Sequence, residues 1–347
     1  MQKLRNIIAI CLIISLAPVS AAGLETPDSV VPGGHTIGVK LYTGGLWIIG
    51  MSPVVTKEGE TEPARRAGLA EGDIVTHING KEIKELEKLS GFTADWDGAP
   101  VHVRFVRDGK MIETEFAPAL CARESIYKLG IWVRDSMAGI GTLTFYEPES
   151  GLFGSLGHGI SDSGTGKLIP LDSGYLDYSE VESVLRGEPG IPGELHGIFR
   201  TGHDYGDVLS NTDSGLFGIV NDCDILGPQP AEPVMVGPAG EVSAGPAVIR
   251  SNVEGDTVGE YQIEILKIYG AEHESRNFML RVTDPLLLEK TGGIVQGMSG
   301  SPVLQNGKLI GAVTHVLVGD PKRGYGIFIE TMLREGGGAL EEAQDAA

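Results

Sequence analysis

The sequence predicts a mainly β chain of two folded domains behind an apolar leader. Short apolar runs recur between turn residues along the chain, which carries 51 glycines and 19 prolines in 347 residues. Strands of this kind, punctuated by Gly and Pro, build barrels and sandwiches. Long runs of helical periodicity are few. A serine between glycines, in Gly297-Met298-Ser299-Gly300-Ser301-Pro302, stands just before the apolar run Lys308–Val313. Glycines there let the backbone turn sharply and bring N–H groups close to a substrate carbonyl.

Composition bounds the answer. A mass of 36.7 kDa is enough for two cores. The formal net charge of -20 excludes nucleic acid as a partner, because phosphates would be repelled. It also disfavours adhesion to an anionic membrane surface. Of the three cysteines, Cys11 lies in the apolar leader; Cys121 and Cys223 match no zinc pattern, and read as buried free thiols with a Cys121–Cys223 pair as the alternative. No metal or cofactor is called for.

In order, residues 1–22 read as an export signal or N-terminal anchor. Lys3 and Arg5 precede an apolar stretch from Ile7 to Val19, and Ser20-Ala21-Ala22 follow as a cleavage region would. The rest of the chain then lies outside the cytoplasmic face, touching a membrane only through this segment. Residues 23–35, with Pro27, Pro32, Gly33 and Gly34, read as a linker.

Residues 36–118 carry Ile37-Gly38-Val39, a strand at Leu46–Ile49 after Gly44-Gly45, and Pro63-Ala64-Arg65-Arg66-Ala67-Gly68-Leu69. Gly72-Asp73-Ile74-Val75 and Ile78-Asn79-Gly80 follow, then a short helix over Ile83–Leu89. Alternation at Val101, Val103 and Phe105 and the turn Asp108-Gly109 predict a hairpin. This stretch resembles a PDZ domain. The resemblance implies that Ile37-Gly38-Val39 is the loop capturing a peptide carboxylate, and that peptides bind by strand addition.

Residues 119–335 form the second domain, with strand-like runs from Gly130–Val133 through Leu309–Leu317 and one or two helical turns at Val181–Leu185. Residues 336–347, after Gly336-Gly337-Gly338, read as an acidic, frayed tail.

A serine nucleophile needs a base, and the base needs an orienting acid. Of eight histidines, His35, His77 and His102 fall before the second domain. His158, between glycines after an apolar strand, is the candidate base. His315 follows Ser299 on the next strand and reads as a core residue; His196 and His203 read as loop residues, and His273 carries no motif. Ser161–Leu168 contains a Gly-Lys pair but lacks the first glycine and the final hydroxyl of a phosphate loop.

Arg134–Tyr146 with Gly154-Ser155-Leu156-Gly157-His158, Gly292–Pro302, and Gly311–Val316 with Gly324–Ile327 together resemble the stage IV sporulation protein B (SpoIVB) peptidase family. The domain order agrees. The resemblance implies a trypsin-like double β-barrel serine peptidase, with Ser299 as nucleophile, His158 as base and the N–H groups of Gly297 and Ser299 as oxyanion hole. It places the acid at Asp284, in Val282-Thr283-Asp284-Pro285; Asp162 and Asp213 are rivals, and an Asp-Pro turn is the plainer role for Asp284. It further implies an exported signalling endopeptidase in the space between forespore and mother cell. Such an enzyme cuts itself and a regulatory subunit of a membrane complex, so that a sigma factor is processed. A silent PDZ adaptor and an envelope quality-control protease are the alternatives.

Overall fold

The computed structural model describes residues 27–346 apart from 95, 201, 202, 271, 272 and 274. The expected leader lies outside the described residues. No helix among the described residues is long and apolar enough to cross a membrane.

Two long strands organise the molecule. After β1 (Ser29–Pro32) come β2 (Thr36–Met51), helix α1 (Pro63–Arg66), β3 (Ile74–Ile78), helix α2 (Leu86–Ala94), β4 (Val101–Arg107), β5 (Lys110–Phe116) and β6 (Ile131–Tyr146). Strands β2 and β6 pair along most of their lengths. Their paired inner halves, Thr36–Tyr42 and Ser136–Thr142, belong to the first barrel; their outer halves belong to the PDZ-type sheet.

The first barrel adds β7 (Leu152–Ser155), β8 (Ser173–Leu185), β9 (Gly206–Thr212) and β10 (Gly215–Val220). Pairing runs β2-β6-β7-β10-β9-β8 and returns to β2, so the sheet closes. Alternate residues Ile37, Val39 and Leu41 point into its core beside Leu143, Phe153, Leu176 and Leu216. This period of two is what fixes the register of β2.

The outer half of β2 pairs through Leu46 and Trp47 with β3, and β4 and β5 follow beyond it. The join between halves is a wide bulge: opposite Arg134 to Ser136, β2 passes from Trp47 to Tyr42. Gly44, at φ +69, makes the bend, and the Thr43 hydroxyl donates to the carbonyl of Gly45 at 2.7 Å. The Gly44-Gly45 pair is therefore a bulge within one strand rather than a turn between two.

The second barrel is closed by β11 (Gly245–Asn252), β12 (Val258–Ile268), β13 (Phe278–Val282), β14 (Pro302–Gln305), β15 (Lys308–Leu317) and β16 (Asp320–Phe328), in the order β11-β12-β13-β16-β15-β14. Ile249, Ile263, Phe278, Leu280 and Val303 fill it. Helix α3 (Pro285–Thr291) leads from β13 toward Ser299, and α4 (Ile329–Ala346) ends the described chain.

Several expectations are corrected. Ile37-Gly38-Val39 is not a loop: all three residues are buried, with β6 on one edge and β8 on the other. No edge is left there for a peptide, and a Cβ on Gly38 would lie 2.5 Å from the Phe199 ring. The expected linker contains β1, which pairs with Tyr146 and Phe145 of β6. Val181–Leu185 ends β8, paired with the strand Glu194–Phe199. The expected tail is the second half of α4; Gly336, Ala339 and Leu340 are buried, and a Cβ on Gly336 would lie 3.0 Å from Phe217. A helix seated that closely tolerates its glycines because packing, not propensity, holds it. Cys121 and Cys223 are both free, but only Cys121 is buried.

Candidate active site

His158 is aimed by an unusual turn. Strand β7 is followed by Leu156 at φ +66 and Gly157 at φ +68, two successive left-handed residues. For leucine this conformation costs about 1 kcal/mol or more. Gly157 also lies against β15, where a Cβ would sit 2.9 Å from Thr314 Cγ2. No larger residue fits there without displacing the strand.

Ser299 sits in a second tight turn, between Gly297 and Gly300, each at φ +96. Met298 is buried in the second-barrel core and anchors the turn from below. A Cβ on Gly300 would lie 2.1 Å from the Thr142 carbonyl oxygen and 2.5 Å from the Leu156 nitrogen. The serine turn thus abuts the turn that carries His158. The Thr142 N–H donates to the Ser299 carbonyl at 2.9 Å, and the Thr142 hydroxyl donates to that of Gly297 at 2.7 Å. Strand β6 of the first barrel therefore holds the Ser299 loop of the second.

The N–H groups of Gly297 and Ser299 take no hydrogen-bond partner among the described residues. Both are free to donate to an oxyanion. The Ser299 hydroxyl donates to the Thr314 carbonyl at 2.8 Å.

His158 Nδ1 lies 2.9 Å from the Gly159 carbonyl. A carbonyl only accepts, so Nδ1 carries the proton and Nε2 is left as the basic nitrogen. Burial pushes the imidazole below the usual histidine value, and the bond to Gly159 only partly offsets this. The ring is then neutral, as a general base must be, in neutral solution.

The surrounding cleft is lined by His158, Asp213, His273, Arg276 and His315. His315 faces His158 with ring centroids 5.0 Å apart. Burial, followed by the nearby His158 and Arg276, pushes it down to about 4, and its Nδ1 is buried with no partner. The sequence placed His315 in the core; on β15 it stands one residue after the acceptor of the Ser299 hydroxyl and borders the site, a position its neighbours' residue types do not signal.

The three candidate acids separate clearly. Both oxygens of Asp284 are engaged elsewhere: Oδ1 accepts from the N–H groups of Leu286 and Leu287, and Oδ2 from that of Gln262. Asp284 is the N-cap of α3, with Pro285 at the first helical position. Asp162 is buried and accepts from the N–H groups of Gly164 and Thr165, closing its own turn. Asp213 is exposed in the β9–β10 turn and lines the cleft beside His158. Its neighbour Thr212 is packed against Gly159, where a Cβ would lie 2.5 Å from the Thr212 carbonyl oxygen.

The PDZ-type sheet has a loop that sequence reasoning missed. Leu129-Gly130-Ile131, with Gly130 at φ +79, turns into the start of β6. It repeats the apolar-Gly-apolar pattern of Ile37-Gly38-Val39, and the strand it opens lies beside α2.

The SpoIVB peptidase S55 family profile matches residues 125–333, and a PDZ domain profile matches residues 1–117. The chain is 30% identical over 78 residues to the zinc metalloprotease RasP of Shouchella clausii. It is 27% identical over 93 residues to a putative zinc metalloprotease of Bartonella henselae. These matches span 22% and 27% of the chain, but only 18% and 25% of the two relatives' own lengths. Among solved structures, the Rv3671c protease of M. tuberculosis in its active form is similar at 13% identity and TM-score 0.32, over 59% of this chain and 74% of that one. The PDZ domain of an SdrC-like protein from Listeria monocytogenes is similar at 17% identity and TM-score 0.21, over 26% of this chain and 87% of that one.

Proposed function

The chain belongs to the SpoIVB peptidase S55 family, and from that premise we propose that it is a serine peptidase with Ser299 as nucleophile and His158 as general base. One observation carries the assignment. The glycine-flanked Ser299 turn abuts the His158 turn, and the N–H groups of Gly297 and Ser299 are left unpaired.

In this reading the Ser299 hydroxyl leaves the Thr314 carbonyl and passes its proton to His158 Nε2 as its oxygen attacks the scissile carbonyl. The resulting oxyanion is held by the N–H groups of Gly297 and Ser299, which were aimed before substrate arrived. Collapse of the tetrahedral species breaks the peptide C–N bond, and the leaving amine takes the proton from His158. Water then attacks the acyl ester by the same route, releasing the acid and restoring Ser299.

For the acid, the reading departs from the family resemblance. Asp213 is the carboxylate in the His158 cleft and belongs to the same barrel as His158, far upstream of the serine, as is ordinary in trypsin-like enzymes. Asp284 caps α3. On rotation of the ring off Gly159, Nδ1 gains Asp213 as its acceptor.

The physiological role follows the family: an exported endopeptidase that cuts itself and a regulatory protein of a membrane complex, signalling between forespore and mother cell. The PDZ-type sheet docks the partner or the enzyme's own cut end, through the Leu129–Ile131 loop.

Ser299→Ala tests the core of the reading. Self-cleavage and cleavage of an added protein should fall by several orders of magnitude, because the nucleophilic oxygen is gone. Stability should fall by only about 1 kcal/mol, the worth of one hydrogen bond to Thr314. Self-cleavage at the wild-type rate in this variant would show that the nucleophile lies elsewhere.

A further inference from the structure

Strand β6 has one neighbour too few over most of its length. One edge pairs with β2 from Ile131 to Thr142. The other pairs with β7 only from Leu143 to Tyr146. From Ile131 to Gly141 no strand pairs with that second edge among the described residues.

The direction of the free groups follows from alternation along a strand. Thr142 turns both its N–H, to Ser299, and its carbonyl, toward the Leu156 N–H, to the second edge. Ile140, Ala138 and Ser136 share that parity, so their N–H and carbonyl groups face the same open side. Ala138 and Gly139 are exposed, and a Cβ on Gly139 would meet nothing within 4 Å. At the far end the Gly130 carbonyl accepts from Ser52 on the β2 side, which turns Ile131 and Val133 to the open side. Asp135, at the register break, accepts the Leu86 N–H at the start of α2 at 2.7 Å. The open edge therefore begins at the Leu129–Ile131 loop, passes α2, and ends on the residue that holds Ser299.

We propose that this edge is a single docking track for an extended polypeptide substrate, and that it binds the part of the substrate following the scissile bond. The proposal rests on the peptidase reading above and deepens it by fixing which side of the cut is gripped, and how far away. An added strand that runs antiparallel, as every neighbour of β6 does, enters at Thr142 and leaves at Ile131. Its earlier residues then lie at Ser299 and its later residues at the loop. The glycine loop at that end suits a terminal carboxylate, which backbone N–H groups can receive. Eleven residues at a rise of about 3.3 Å give a track of roughly 36 Å. A chain end held at the loop would thus be cut about ten to twelve residues from its terminus.

Ala138→Pro tests the track in the full-length protein. Proline removes the N–H that faces the open edge and leaves untouched the neighbouring groups that bond β2. Two readouts are taken: labelling of Ser299 by a small fluorophosphonate, and cleavage of unfolded β-casein. The expected result is retained labelling with a rise of about tenfold in KM for casein, equivalent to the loss of one or two hydrogen bonds. Casein cleavage with wild-type KM in a labelled variant would overturn the track. Should the variant lose labelling through misfolding, the wild-type enzyme supplies the second test. Mass spectrometry of its digests of peptides with free C-termini should show C-terminal products clustered near ten to twelve residues, and evenly spread lengths would overturn the proposal. A wild-type chain that neither labels nor cleaves would instead overturn the peptidase reading.

Discussion

The role of Asp284 can be decided by pairing a stability measurement with a rate. As the cap of α3, Asp284 satisfies two helix N–H groups with Oδ1 and one strand N–H with Oδ2. Asp284→Ala removes both acceptor oxygens and all three hydrogen bonds, and loss of an N-cap costs about 1 kcal/mol. That should lower the melting temperature by about 2–4 °C. Asp284→Asn keeps an acceptor for Leu286 and Leu287 and sets an amide against only the Gln262 N–H, at 3.3 Å. It should cost less than the alanine variant, and its kcat/KM should stay within a few-fold of wild type. Asp213 is exposed and lines the cleft. Asp213→Asn should leave the melting temperature unchanged and lower kcat by up to ~10⁴-fold, as loss of the orienting carboxylate does elsewhere. Thermal unfolding and casein hydrolysis on the same preparations give both numbers. The reverse pattern, a ~10⁴-fold loss in Asp284→Asn with full activity in Asp213→Asn, would refute this division of roles. The acid would then be the capping residue, after a rearrangement at the start of α3.

Two predictions concern pH. Because burial holds His158 below the usual histidine value, kcat/KM should be flat through neutrality and fall tenfold per unit only below about pH 6.5; an acid limb centred above 7 would contradict the burial argument. His315 should also make stability depend on pH. Its folded value of about 4 lies under the unfolded value of about 6.5, so the unfolded chain binds more protons in that window. Stability is then complete above the unfolded value and is lost as pH falls toward the folded one. Urea titrations should show up to about 2 kcal/mol less stability at pH 5 than at pH 7 from this group, and the difference should shrink in His315→Gln.

The two tight turns at Ser299 and His158 were legible because local backbone rules are strong there. A serine between glycines, and a histidine after a strand between glycines, mark tight turns whatever surrounds them, and the structure places the two turns in contact. The hairpin at Asp108-Gly109 was legible for the same reason. Asp284 was not, since an Asp before a proline is equally good as a helix cap and as a catalytic acid. Position in the fold separates the two roles, and sequence carries no distances. Asp213 and His315 come to the cleft from a turn and a strand on different barrels. Nothing in their neighbours' residue types predicts that meeting.

The misplacement of the peptide loop has a more specific cause, and it bears on how the molecule works. Ile37-Gly38-Val39 and Leu129-Gly130-Ile131 have the same pattern, and each opens one of the two longest strands. Either could be a carboxylate loop on pattern alone. What differs is the second edge of the strand that follows. That of β2 is filled by β8, while that of β6 is open. Barrel closure consumes one copy of the pattern and leaves the other free. The free copy lies on the strand whose other end bonds the Ser299 carbonyl. Binding and chemistry are thus joined by one run of β-backbone rather than by a flexible linker. An extended ladder of this kind resists shear, because sliding by one residue would turn Ile37, Val39 and Leu41 out of the core. The spacing between the docked segment and the scissile bond is consequently fixed by the first barrel's own packing.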